Sequence, residues 1–119
     1  MATFRIERLN REFLRLIAEI LNNRLKDEMW REVVLTHVDC SKDLSHAKIY
    51  YTVLDDSSIQ RVQGALELSA GKIRGHLGRE MHIRQIPELH FIFDDSERRA
   101  RDIDALIERV IKEDGIRKS

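Results

Sequence analysis

The stretch LELSAGKIRGHLGREM, Leu66–Met81, decides how the middle of this chain folds. Its two ends are typical of a helix, but Ser69, Ala70 and Gly71 stand together between them. Serine competes for backbone hydrogen bonds, and a glycine inside a helix costs about 1 kcal/mol relative to alanine. The sequence therefore predicts two helices separated by a bend at these three residues, the first of them running over about Ile59–Leu68.

Three short segments around this stretch predict strands. They are VVLTHVDC (Val33–Cys40), AKIYYTVL (Ala47–Leu54) and ELHFIF (Glu88–Phe93). The polar link SKDLSH favours an antiparallel hairpin between the first two. More than 30 residues separate the second strand from the third, enough for a right-handed crossover, so these two should be parallel neighbours. We expect a mixed three-stranded sheet with the second strand in the centre.

Two further helices flank the sheet in sequence. The first covers Ile6–Leu25, with apolar side chains at helical spacing. The last covers about 97–111, after the capping residues Asp94, Asp95 and Ser96, and a short basic tail follows at 115–119. The predicted order is α-β-β-α-kink-α-β-α, an α+β fold with the sheet packed on helices. Whether the last helix covers the second face of the sheet stays open at this point.

Composition limits the class of protein. The chain has 119 residues, so a single domain over 1–119 is expected, with 42% hydrophobic and 35% charged residues. No apolar stretch approaches the roughly 18 residues of a membrane span, and we expect a cytoplasmic protein without a membrane partner. The single cysteine, Cys40, is interpreted as a small buried apolar residue on a strand.

The net charge of zero conceals an uneven distribution. Residues 58–86 contain five basic and two acidic side chains, a net charge of +3, whereas the segments on either side are acidic. This basic excess falls on the segment with the expected bend. It favours an anionic partner, although it is far smaller than in strongly basic domains.

At this point the residues resemble a known family. The order strand, helix, short bend, helix, strand, with a helix and a strand before it, is similar to the type II KH domain. The segments DLSHAK (43–48), KIRGHLG (72–78) and PELHFIFDDS (87–96) resemble the signature stretches of the ribosome-binding factor A family, and with the flanking helices the resemblance covers essentially the whole chain. Members of that family have an Ala-x-Gly kink between the two helices, and Ser69 stands here where the alanine is usual.

The resemblance implies a binding protein and not an enzyme. Proteins of this family bind free or maturing small ribosomal subunits and their ribosomal RNA. They assist late folding and 5′-end processing of that RNA and matter most for growth in the cold. The resemblance implies no cofactor, and a monomer is expected. The alternative is a small α+β protein-interaction or dimerisation domain without nucleic-acid binding, which the neutral charge would suit.

The candidate RNA-binding residues fall into two groups. A glycine without a Cβ lets a phosphate approach closely, and the first turn of a helix favours anions through its free amides. The first group surrounds the expected bend: Ser69, Ala70, Gly71, Lys72, Arg74, Arg79 and Arg84. The second is a row on the first helix: Arg8, Arg11 and Arg15. An ordinary solvated helix surface would look the same in sequence.

Other chemistry-bearing residues form no pattern that predicts a site. The five histidines lack a His-x-x-x-His spacing, and zinc needs about four converging ligands, so no metal site is predicted. Asp94 and Asp95 are interpreted as helix caps rather than as a catalytic pair. A hydrolase or nuclease is disfavoured because no nucleophile stands at a readable spacing from a base.

Overall fold

The computed structural model describes residues 2–118, with side-chain environments for residues 5–112. Along the chain the helices and strands are α1 (Ala2–Asn23), β1 (Val33–Cys40), β2 (His46–Val53), α2 (Ile59–Glu80), β3 (Glu88–Phe93) and α3 (Ser96–Lys118), with 3-10 turns at Glu28–Glu32 and Asp56–Ser58. The α+β class and the predicted element order are confirmed, with the exception of the break in the middle helix.

The sheet is the one that the strand pattern predicts. Its order is β1-β2-β3, with β1 antiparallel and β3 parallel to the central β2. In the central strand Ala47, Ile49, Tyr51 and Val53 are buried, and the residues between them face the other side. α1 packs against β1 and α2 against β3, so both helices cover the same apolar face of the sheet.

A β-bulge in β1 is not predicted from the sequence. The register shifts between Leu35 and His37, so Thr36 is the extra residue. Its hydroxyl donates to Asp94 Oδ2 at 2.8 Å, and Asp94 Oδ1 accepts from the backbone amide of Ser96 at 2.9 Å. The bulge changes the parity of the strand, because a regular strand would turn every second residue inward without interruption. Because the bulge accommodates Thr36, Val38 and Cys40 face the core on the same side as Leu35.

The predicted break in the middle helix is wrong. α2 is one α-helix over Ile59–Glu80, and Ser69–Gly71 lie inside it. The buried side chains Val62 and Leu66 precede these residues, and Ile73 and Leu77 follow them. Each of the two later residues lies eleven positions after its earlier counterpart, which is about three helical turns. The apolar stripe thus continues in phase. Burying such side chains contributes about 1.5–3 kcal/mol each, which outweighs the local cost of serine and glycine.

The last helix also differs from its prediction. α3 continues through Gly115 to Lys118, so the basic tail predicted at 115–119 is helical up to that residue. One glycine costs only about 1 kcal/mol and does not end a helix by itself. The first turn of α3 is fixed by an ion pair of 2.6 Å between Arg98 and Asp56. Beyond it the apolar side chains are 48% to 64% exposed: Ile103, Leu106, Ile107, Val110 and Ile111.

α3 therefore does not cover the second face of the sheet, which is open to solvent. None of the helices in the described part of the chain has an apolar stretch that could cross a membrane.

Candidate nucleic-acid interface

The outward side of α2 is lined by glycine. Gly64, Gly71, Gly75 and Gly78 lie within an arc of about 60° at 100° per residue, roughly opposite the buried stripe of the helix. We call this surface the glycine strip. Gly71, Gly75 and Gly78 are exposed and Gly64 is half-buried, so the backbone of α2 is accessible over about two turns.

Nothing inside the molecule requires these glycines. In the described chain no glycine has a positive φ. A Cβ added at Gly64, Gly71 or Gly75 would meet nothing within 4 Å, and one at Gly78 would lie 3.7 Å from Ile86 Cγ1, an ordinary contact. Each glycine nevertheless lowers helix stability by roughly 1 kcal/mol relative to alanine. A surface on which another molecule's backbone approaches the helix closely would account for them.

Two of the predicted cations border the glycine strip. Lys72 and Arg79 are exposed and lie about 20° apart on the same side of the helix. The Arg79 guanidinium donates to His76 Nδ1 at 3.0 Å, which holds the cation along the helix surface. Leu68, on the same flank, is 89% exposed. A cationic edge, a bare backbone and one apolar side chain therefore share a single face.

Arg74 belongs to the opposite flank of α2. Its Nε donates to the carbonyl of Pro87 at 3.1 Å and its Nη2 to the carbonyl of Ile86 at 2.9 Å. On the helix it lies roughly 140–160° from Lys72 and Arg79. The structure thus separates Arg74 from the other two cations and gives it a structural role, since it anchors the segment that leads into β3.

The remaining residues of the first predicted group are scattered around the helix. Ser69 and Ala70 are half-buried, and Ala70 packs against the core. Arg84 is exposed in the link between α2 and β3.

The predicted row on α1 forms a separate surface. Arg8, Arg11 and Arg15 are exposed, but Arg15 lies 3.7 Å from Glu19 in a surface ion pair. α1 packs on β1 whereas α2 packs on β3, and no described contact joins these arginines to the cations of α2. The structure brings together Lys72, Arg79 and the glycine strip, and leaves the α1 row apart.

Carboxylates neutralise several other cations nearby. Arg61 lies 3.5 Å from Glu32, and Arg24 lies 3.8 Å from Glu80. Among the side chains that the structure describes, Lys72 makes no such ion pair. Its charge is therefore available to an anion.

Sequence reasoning singled out Gly71 and missed the other three glycines and Leu68. A signal was present, since the spacings of seven, four and three residues between successive glycines repeat the helical period. The expected bend concealed it, because two separate helices would not align these positions.

Comparison with known proteins decides the family. The family model described as ribosome-binding factor A matches residues 5–107 of the chain. The chain belongs to the ribosome-binding factor A family. A family member from Chromobacterium violaceum is 40% identical over 110 residues, which cover 92% of this chain and 80% of the relative.

Two structures of ribosome-binding factor A share the fold at lower identity. The crystal structure of the Thermus thermophilus protein has a TM-score of 0.67 at 23% identity, covering 74% of this chain and 93% of that one. A Thermus thermophilus homology model fitted into a cryo-electron microscopy map of a 30S complex has a TM-score of 0.60 at 22% identity, covering 72% and 91%. The predicted family resemblance is confirmed.

Proposed function

We propose that this chain is a ribosome assembly factor that binds free or immature small ribosomal subunits through their ribosomal RNA. Membership of the ribosome-binding factor A family supports this function, and the Thermus thermophilus relative is described in a complex with the 30S subunit. We further propose that it supports late maturation and 5′-end processing of 16S-type ribosomal RNA, with the largest effect in the cold.

The contact surface that we propose is the glycine strip of α2 with Lys72 and Arg79. One observation supports this placement: the outward glycines lower the stability of α2 although neither backbone conformation nor packing requires them. In KH domains glycines in a loop allow the nucleic-acid backbone to approach. Here an uninterrupted helix would offer the same access along its outward side, and Lys72 and Arg79 would neutralise phosphates there. Arg84 and the α1 row, Arg8, Arg11 and Arg15, would add further phosphate contacts.

The action that fits this surface is binding without chemistry. A protein that binds one arrangement of the RNA more tightly than its competitors shifts the population toward that arrangement. RNA leaves a misfolded arrangement more slowly at low temperature, so stabilisation of the productive arrangement would matter most in the cold. The productive arrangement would then persist until nucleases and other factors act on it.

Cosedimentation with purified small subunits over a range of salt concentrations tests the proposal. Binding should weaken as salt rises, because phosphate contacts release counterions. The double variant Lys72→Glu/Arg79→Glu is expected to bind more weakly and to lower the slope of log affinity against log salt by about 2. Arg74 is left native because its bonds to carbonyl groups are structural.

The matched control is Arg109→Glu/Lys112→Glu on α3, which changes the net charge equally at exposed positions. The control should bind nearly as the native chain does. If both double variants lose the same affinity, the interaction is non-specific and the placement on α2 is wrong. A native chain that does not cosediment, or cosediments independently of salt, contradicts RNA binding itself.

The protein-interaction alternative has one observation in its favour, the exposed apolar residues of α3. We propose that the chain is nevertheless a monomer in solution, because the described part of α3 carries many charged residues around this stripe. Sedimentation equilibrium should give the monomer mass of 14.0 kDa. A concentration-dependent dimer, combined with salt-independent cosedimentation, would favour the alternative.

A further inference from the structure

Three potential metal ligands meet at one end of the open face of the sheet. His46 is the first residue of β2, and Glu88 is the first residue of β3. These two residues are direct partners in the parallel ladder, and His90 follows Glu88 on the same side of β3. The fold thus brings together side chains that lie more than 40 residues apart in sequence.

The distances between the ligand atoms suit one metal ion. His46 Nδ1 lies 2.9 Å from His90 Nε2 and 3.7 Å from Glu88 Oε2. All three ligand atoms lie within 4.8 Å of one another. In a tetrahedral zinc site with bonds of about 2.0–2.1 Å, neighbouring donor atoms are about 3.3 Å apart. The two shorter separations lie on either side of this value, so small side-chain rotations would close the site.

The backbone that carries these ligands is held on both strands. The amide of His46 donates to Ser41 Oγ at 3.1 Å, and its carbonyl accepts from the Ser41 amide at 2.8 Å. The amide of Glu88 donates to the carbonyl of Ser45 at 2.9 Å. Such positioning lowers the ordering cost of binding, because only side-chain torsions remain to be fixed.

We propose that His46, Glu88 and His90 form a binding site for a divalent transition-metal ion, with Zn²⁺ as the ion that the ligands suit best. Two imidazoles and one carboxylate favour zinc over magnesium or calcium, which prefer all-oxygen ligands. The side chains of His46 and Glu88 are 55% and 65% exposed, so water or a donor from another molecule can complete the coordination. The site is separate from the glycine strip and does not depend on the proposed function.

One neighbour opposes the metal. Lys48 is the ladder partner of His90 and lies on the same face of the sheet. Its ammonium repels a divalent cation, and removing this charge should strengthen binding. A metal site therefore predicts opposite effects for substitutions at Lys48 and at the three ligands.

Titration of the chelator-treated chain with ZnCl₂ in a non-chelating buffer, followed by calorimetry, tests the proposal. One ion should bind per chain. His90→Ala and Glu88→Gln should each weaken binding on the order of 100-fold, since even indirect partners of a metal contribute 10–100-fold. Lys48→Met should bind Zn²⁺ severalfold more tightly. The control is His37→Ala, at an exposed histidine on the same face whose ring centroid lies 5.8 Å from that of Tyr50.

The melting temperature distinguishes loss of metal binding from loss of general stability. Zn²⁺ should raise the melting temperature of the native chain and of His37→Ala, and leave that of His90→Ala unchanged. Without zinc, all variants should melt close to the native temperature, because the substituted side chains are exposed. Absence of saturable binding, or equal loss of binding in His37→Ala and His90→Ala, overturns the proposal.

Discussion

Asp43 organises the turn between β1 and β2 through one carboxylate oxygen. Asp43 Oδ1 accepts from Ser41 Oγ at 2.8 Å, from Ser45 Oγ at 2.7 Å and from the Ser45 amide at 3.1 Å. Leu44, between them, adopts a left-handed conformation with φ of 58° and packs against the core. The hydrogen bonds and the burial of Leu44 together offset a backbone conformation that costs a branched residue roughly 1–2 kcal/mol.

These bonds make the turn sensitive to acid. The hydrogen bonds from Ser45 and Ser41 lower the pKa of Asp43 from its usual 3.8 to about 2. A lowered pKa in the folded state means that the bonds stabilise the turn above the usual pKa, and that this contribution is lost as the pH falls toward 2. In an NMR titration the Ser45 amide should move with a midpoint near pH 2. A midpoint near 4 in the native chain, or the same titration in Asp43→Asn, would contradict this role.

Tyr51 connects the sheet to α2. Its ring is fully buried, and its hydroxyl donates to Gln63 Oε1. The Gln63 amide in turn donates to the carbonyl of Phe91 at 2.9 Å. Burial of the phenol, and secondarily the charge of Glu67, raise the pKa of Tyr51, which keeps the hydroxyl protonated as a donor.

Tyr51→Phe removes one hydrogen bond and preserves the packing of the ring. The free energy of unfolding should fall by about 1 kcal/mol, because Gln63 Oε1 loses its donor in a partly buried setting. Urea denaturation measures this loss. Tyr50→Phe is the control, since Tyr50 faces the open side of the sheet, and its effect should be markedly smaller. Equal stability of the native chain and Tyr51→Phe would show that the bond contributes nothing.

At the scale of the element, α2 shows what local propensity can and cannot predict. The alternation in β2 and the helical spacing in α1 identified both elements, because each pattern repeats over several residues. At Ser69–Gly71 propensity alone predicted a bend. The decisive information was the phase between Leu66 and Ile73, which depends on a sheet that buries both residues at once. That long-range condition is not visible in a local stretch.

The glycine strip predicts that stability and binding move in opposite directions. Gly71→Ala should raise the free energy of unfolding by up to about 1 kcal/mol, because the new methyl group meets nothing within 4 Å. It should weaken small-subunit binding on the order of tenfold, about 1.4 kcal/mol, because the methyl group holds the partner's backbone away. Thermal denaturation and cosedimentation measure the two effects.

The control for this variant is Asn22→Ala at an exposed position of α1, where alanine also improves helix propensity. It should be as stable as the native chain or more so, with unchanged binding. If Gly71→Ala binds like the native chain, the glycine strip is not an interface.

At the scale of the whole molecule, α3 makes the chain extended. The radius of gyration of the Cα atoms is 18.7 Å, whereas a compact domain of 119 residues would have about 13.5 Å. The longest dimension is 67 Å, and α3, with 23 residues, is itself about 35 Å long. Most of the apolar stripe on α3 is consequently exposed.

Small-angle X-ray scattering should reproduce this extended shape. The native chain should give a radius of gyration of about 19 Å, and a variant ending at Asp95 should fall toward the roughly 12 Å of a compact domain of its length. Circular dichroism and thermal unfolding show whether the truncated variant retains its fold. A native value near 14 Å would mean that α3 folds back onto the sheet.

The sheet topology was predictable, whereas the surfaces were not. Strand order and direction followed from the polar link 41–46 and the length of the crossover. The His46, Glu88 and His90 cluster has no sequence signature, because its ligands come from two strands that only the parallel ladder makes adjacent. Arg74 looked like its neighbours in sequence, and only the carbonyl groups of Ile86 and Pro87 distinguish it.

The bulge at Thr36 connects the edge strand β1 with the start of α3. The extra residue that the bulge accommodates reaches across β2 to Asp94, whose other oxygen caps the start of α3. A deletion of Thr36 would restore a regular ladder in which Leu35, Val38 and Cys40 still face the core, and it would remove one of the two partners of the Asp94 carboxylate. What the extra residue adds is therefore a contact between the edge strand and the start of the projecting helix.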